Sequence, residues 1–108
     1  MINFDFKTSV FVYQEPIALA ASFTKLYLLT REELAKNPLS GSVFIFLNKK
    51  RTACKALHYD GTGFFIYYKK LDHGRFPDVK QLTANNINQF FRGEINIQKR
   101  SSNRRAFL

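Results

Sequence analysis

His58 and Asp60 stand two positions apart in or at the end of an apolar run, a spacing that turns both toward one face of a strand and would suit an acid–base pair. Cys54, the single cysteine, lies four residues earlier and would be the nucleophile of any enzyme built on this trio. No partner is placed by the sequence to activate it, and a free cysteine inside a strand is ordinarily a small buried residue. The eight carboxylates, Asp5, Glu15, Glu32, Glu33, Asp60, Asp72, Asp78 and Glu94, are scattered, whereas two-metal phosphoryl chemistry needs several to converge. One cysteine and two histidines also leave too few soft ligands for a structural zinc site, and no cofactor is expected. Asp60-Gly61-Thr62-Gly63 superficially resembles a phosphate-cradling loop. Such loops precede a helix, and an apolar β-type run follows here, so the segment reads as a hairpin turn.

The basic residues form the stronger pattern. Lys49, Lys50 and Arg51 share one reversal, Lys55 follows it, Lys69 and Lys70 close the next apolar run but one, and Arg75 comes soon after. Antiparallel strands return the chain to its starting side, so these groups can gather at one edge and neutralise phosphates without strict geometry. The charge distribution agrees. Residues 1–48 and 81–98 are neutral, while the net +9 comes from +5 in residues 49–80 and +4 in residues 99–108, where Lys99, Arg100, Arg104 and Arg105 lie. Concentrated positive charge recruits phosphate polymers or acidic partners rather than a small-molecule substrate. Phe64, Phe65, Tyr67 and Tyr68 could in principle stack on bases. The sheet needs a core, however, and these residues are expected to supply it.

The elements that must position these groups follow from periodicity. Residues 8–13, TSVFVY, read as a strand. Pro16 suits the first position of a long helix whose stripe is Ile17, Leu19, Ala20, Phe23, Leu26, Tyr27 and Leu34, ending at Asn37 and Pro38. Residues 43–47 and 53–59 are strands joined by the NKKR reversal, and residues 64–71 return as a third strand after the hairpin, whose Gly61 and Gly63 tolerate positive φ. Residues 72–81 form a loop. Thr83 caps a short helix carrying Ile87, Phe90 and Phe91, which Gly93 stops. Residues 94–98, EINIQ, suit a final edge strand, and residues 99–108 read as a flexible basic tail.

Together these predict an α+β fold in which a small, mainly antiparallel sheet with a central three-strand meander packs with one long and one short helix. The domain spans residues 1–98. No run approaches the roughly 20 apolar residues of a membrane span and no leader opens the chain, so a soluble, cytoplasmic protein without membrane association is expected.

The spacing Pro38-x-Ser40-Gly41-x-x-Phe44-x-Phe46, then Lys55-x-Leu57-x-x-Asp60-Gly61-x-Gly63, then Lys69-Lys70-Leu71-x-x-Gly74-Arg75-Phe76, resembles the TnpB-type accessory protein of bacterial insertion sequences of the IS-sixty-six class. Leu82 and Thr83 through Phe90, Phe91 and Gly93 resemble its closing segment, so the similarity covers roughly residues 9–95. Ala18, Leu19, Ala20, Ala21 and Ser22 stand where that family usually carries Asp-Met-Arg-Lys-Gly, and the contact made by those charged groups does not carry over. The resemblance implies a non-catalytic helper in transposition, encoded beside a separate transposase. The basic residues then suggest DNA at the element ends as its partner. An alternative is a module that docks an acidic protein, most simply the transposase, without touching DNA.

Overall fold

The computed structural model describes residues 7–93. Five strands, β1 (Ser9–Val12), β2 (Val43–Leu47), β3 (Ala53–Tyr59), β4 (Phe64–Lys70) and β5 (Gln81–Thr83), form one sheet in the order β4-β3-β2-β1-β5. Among the described residues the only parallel pair is β1 with β2; β5 adds to the far side of β1 in antiparallel sense. The expected meander is therefore β2-β3-β4 within a larger sheet.

VFIFL forms the central strand because it can be buried on both faces, and all five of its residues are. Alternation then sorts two cores. Val10, Val12, Val43, Ile45, Leu47, Cys54 and Ala56 face α2 (Ile87–Arg92), which contributes Ile87, Phe90 and Phe91, with Phe76 wedged beside them. Phe44, Phe46 and Leu57 face the opposite way, against Leu26 and Leu29 of the first helical segment. Phe76 stacks on Phe90 at 5.4 Å, and each large side chain fully buried in this way stabilises by about 1.5–3 kcal/mol.

The first helix departs from expectation. It begins at Phe23, not Pro16: α1 covers Phe23–Leu28 and continues as a π-helical turn over Leu29–Glu33. Residues 17–22 have helical composition, yet Ile17 N–H donates to Leu47 O at 2.9 Å, which extends the chain along the end of β2. Two carbonyls of this segment are then held by Lys55, as described below. Leu19 and Ala20 are exposed, while the buried positions are Leu26, Leu29 and Thr30, whose hydroxyl donates to Leu26 O at 2.9 Å. The helix stops before Asn37 because the widened turn closes with Leu34 N–H on Leu29 O and Lys36 N–H on Thr30 O, with Ala35 at φ 54°.

The hairpin forms where the sequence places it. Asp60 Oδ1 accepts from the backbone N–H and hydroxyl of Thr62, both at 2.9 Å, and from Gly63 N–H at 3.0 Å. Gly61 takes φ 103°; Gly63 does not need a positive value. The end of the expected loop is instead β5, and Thr83 is not the cap of α2: Asn86 precedes the helix and its Oδ1 accepts the Thr83 N–H at 2.8 Å. Gly93, at φ 82°, ends the helix as expected. The edge strand expected at residues 94–98 and the basic tail at 99–108 lie outside the described residues.

Candidate nucleic-acid interface

One end of the sheet carries the C-terminal ends of β1, β2 and β4 and the start of β3. Asn48 builds the turn there. Its Oδ1 accepts from Thr52 N–H at 2.9 Å and Ala53 N–H at 3.0 Å, its Nδ2 donates to the Thr52 hydroxyl at 3.0 Å, and its carbonyl accepts from Arg51 N–H. This fixes Lys49 and Lys50 as exposed residues of a short, rigid reversal.

Arg51 adopts φ 57° and is locked from outside: Phe76 N–H donates to Arg51 O at 2.7 Å, and Arg51 Nε donates to Phe76 O at 3.0 Å. The same contact draws Arg75 to the turn. Lys69 pairs in register with Cys54 and Lys70 with Ala53, so both lie at this end, on opposite faces of the strand. Leu71 N–H donates to Thr52 O at 2.8 Å and completes the attachment.

Six of the seven cations expected from the central region thus converge: Lys49, Lys50, Arg51, Lys69, Lys70 and Arg75. Lys80 joins them. It is exposed, and the antiparallel register of β5 with β1 (Phe11 opposite Gln81) carries it to the end of β1. It escaped the sequence reading because β5 did. A cleft of about 260 Å³ opens beside the turn, lined on its polar side by Lys49, Arg51, Glu15 and Asp78. With Asp72, these are the carboxylates near this end among the described residues, where cations remain in clear excess.

Lys55 is elsewhere. It sits in mid-strand opposite Phe46 on the α1 face, donates from Nζ to Leu19 O and Ala21 O at 2.6 Å each, and lies 5.2 Å from the Tyr68 ring centroid. Its work is to hold the segment preceding α1. Lys99, Arg100, Arg104 and Arg105 lie outside the described residues.

The residues considered for catalysis have other roles. Cys54 is 2% exposed, and burial pushes its thiol up to about 12. Asp60 is committed to its turn: the bonds from Thr62 and Gly63, with a smaller attraction to His58, hold its carboxyl below the usual carboxylate value. Among the described residues no group of three or more His, Cys, Asp and Glu could hold a metal ion, and no helix is long and apolar enough to cross a membrane.

The aromatic run of β4 divides. Phe64 packs against Phe23, Tyr27 and Tyr59 at centroid distances of 5.0, 5.9 and 4.9 Å, and Tyr67 is partly buried against the α2-side core. Phe65 and Tyr68 are 48% and 54% exposed. Only half of this run is therefore core.

The described residues thus form a small α+β domain whose sheet carries a basic end. The family model described as "IS66 Orf2 like protein" matches residues 8–99, and the chain belongs to this family of insertion-sequence-associated proteins. Two curated proteins of Sinorhizobium fredii are similar to it. One, described as uncharacterized protein y4hO, is 36% identical over 58 residues, covering 54% of this chain and 50% of the relative. The other, uncharacterized protein y4jC, is 27% identical over 73 residues, covering 66% and 62%. The chain thus spans about half to three-fifths of the curated relatives it matches. No solved structure matches it.

Proposed function

We propose that this protein is a non-catalytic accessory of insertion-sequence transposition that binds DNA phosphates through the basic sheet end, with the cations of residues 99–108 adding to the same electrostatic attraction. The observation that carries this reading is the convergence of Lys49, Lys50, Arg51, Lys69, Lys70, Arg75 and Lys80 on one end of the sheet, three of them on a turn fixed by Asn48. Phosphate recognition requires clustered donors on a shared surface, and a fixed turn presents them without a backbone ordering cost at the moment of binding. Cleavage falls to a separate transposase. The burial of Cys54 and the commitment of Asp60 to its turn support that division.

The test is retention of element-end DNA by the full chain and by the Lys49→Ala/Lys50→Ala double variant, which removes two exposed cations without touching the bonds of Asn48 or Arg51. Affinity should fall at least about tenfold in low salt. Undiminished binding would overturn the site. Absence of DNA binding together with retained binding to the transposase would replace this reading by docking to an acidic partner.

A further inference from the structure

The outer edge of β4 has a specific hydrogen-bonding phase. Leu71 N–H donates to Thr52 O at one end of the β3–β4 ladder, and Asp60 N–H donates to Gly63 O at the other. With the register Ala53 opposite Lys70 through Tyr59 opposite Phe64, these bonds turn the backbone groups of Phe65, Tyr67 and Lys69 toward β3. Those of Phe64, Ile66, Tyr68 and Lys70 point outward, and no strand covers them among the described residues. Proteins rarely leave seven residues of edge in this state. Such edges are ordinarily shortened, bulged, interrupted by proline or charged along their length. Here charge is confined to one end, and Phe65, Ile66 and Tyr68 are exposed.

The residue order of this strand is complementary to its own reverse. We propose that a second copy of the chain pairs with this edge, β4 against β4, about a two-fold axis at Tyr67, joining two five-stranded sheets into one of ten. In that register Phe64 lies opposite Lys70 of the other copy, Phe65 opposite Lys69, Ile66 opposite Tyr68, and Tyr67 opposite its equivalent.

Three features select this alignment. All four outward-facing residues fall at hydrogen-bonded pairs, so no edge group of Phe64–Lys70 is wasted. Every lysine meets an aromatic ring, and no two lysines face each other. Ile66 and Tyr68 cover one another's exposed apolar surface. A two-residue slip in either direction leaves some outward-facing residues without a partner. The contact is isologous, as a two-fold interface requires, and it closes both sheet edges at once. The basic ends of the two copies then point in opposite directions along the strands.

Sedimentation of the full chain between about 1 and 100 µM tests the association, the expected species having twice the 12.6 kDa mass of one chain. Cysteine substitutions test the register. Tyr67 would face its equivalent at a non-hydrogen-bonded pair, where Cα atoms lie about 4.5 Å apart, a separation that suits a disulfide. Tyr67→Cys should therefore cross-link to itself under mild oxidation. Phe65→Cys should do so only when mixed with Lys69→Cys. Ile66→Pro removes an outward N–H but no bond to β3 and should raise the dimer dissociation constant at least about tenfold while leaving the circular dichroism unchanged.

A monomer at the highest concentration overturns the proposal, as does a dimer without this cross-linking pattern or one indifferent to Ile66→Pro. A monomer whose outward β4 amides resist hydrogen exchange would show the edge covered by the chain itself, which also overturns it.

Discussion

Arg51 and Phe76 hold each other by a reciprocal pair of hydrogen bonds, Phe76 N–H to Arg51 O at 2.7 Å and Arg51 Nε to Phe76 O at 3.0 Å. One partner belongs to the basic turn and the other is fully buried in the α2-side core. Positive charge at this sheet end is therefore fastened directly to hydrophobic packing. Arg51→Ala should lower stability by about 1–2 kcal/mol, since it removes the Nε bond and leaves a β-carbon at φ 57°. Arg51→Gly, which relieves the backbone, should cost less. Urea unfolding of the two variants decides; equal losses would mean the backbone conformation carries no penalty.

Salt titration checks the extent of the phosphate contact. If roughly five phosphates are neutralised, log affinity for duplex DNA should fall against log salt with a slope of about −4 to −5. A nearly flat dependence would count against a phosphate-binding sheet end.

Asp60 gives a pH signature. Its folded pKa lies below the 3.8 of the free group, first through the Thr62 bonds and then through Gly63. A depressed carboxyl contributes stability that is present above the unfolded value and lost as pH falls through the folded one. Asp60→Asn should flatten the acid side of the melting-temperature profile and leave it parallel to the parent near neutrality. Identical acid limbs would refute the assignment.

Cys54 should be silent toward thiol reagents. A thiol 2% exposed and pushed up to about 12 supplies almost no thiolate at neutral pH. Maleimide should label the native chain far more slowly than the urea-unfolded chain, with one equivalent incorporated in the latter. Fast native labelling would show that the α2-side core opens readily.

Gly93 should resist substitution. A β-carbon there would stand 2.7 Å from Leu71 Cδ1, and the backbone sits at φ 82°. Gly93→Ala is expected to cost about 1–3 kcal/mol, read as a lowered unfolding midpoint at unchanged m-value.

The central sheet was legible because its signals are local. VFIFL announces burial on both faces by lacking any polar alternation, and Asp60-Gly61 supplies the turn that sets the β3–β4 register. Residues 17–22 were misread for the opposite reason: their composition favours helix, but Leu47 O and the ammonium of Lys55, both remote in sequence, claim their backbone groups. β5 has three residues and little apolar character of its own, so only its pairing with β1 makes it a strand, and Lys80 was overlooked with it. The misplacement of Lys55 was avoidable. Its position in the middle of ACKALHY, opposite Phe46 rather than in the reversal, already separates it from Lys49 and Lys50.

The order in which the two cores are completed bears on how the chain emerges during synthesis. The face of the sheet formed by Val10, Val12, Val43, Ile45 and Leu47 is covered by Phe76, Ile87, Phe90 and Phe91, and the outer side of β1 is closed by β5. All of these covering residues are made after β4. A nascent chain halted at the meander would hold a bare apolar sheet with both edges open, a form prone to aggregation and proteolysis. Translation interrupted before α2 should therefore leave no functional fragment, because the residues that cover this face have not yet been made.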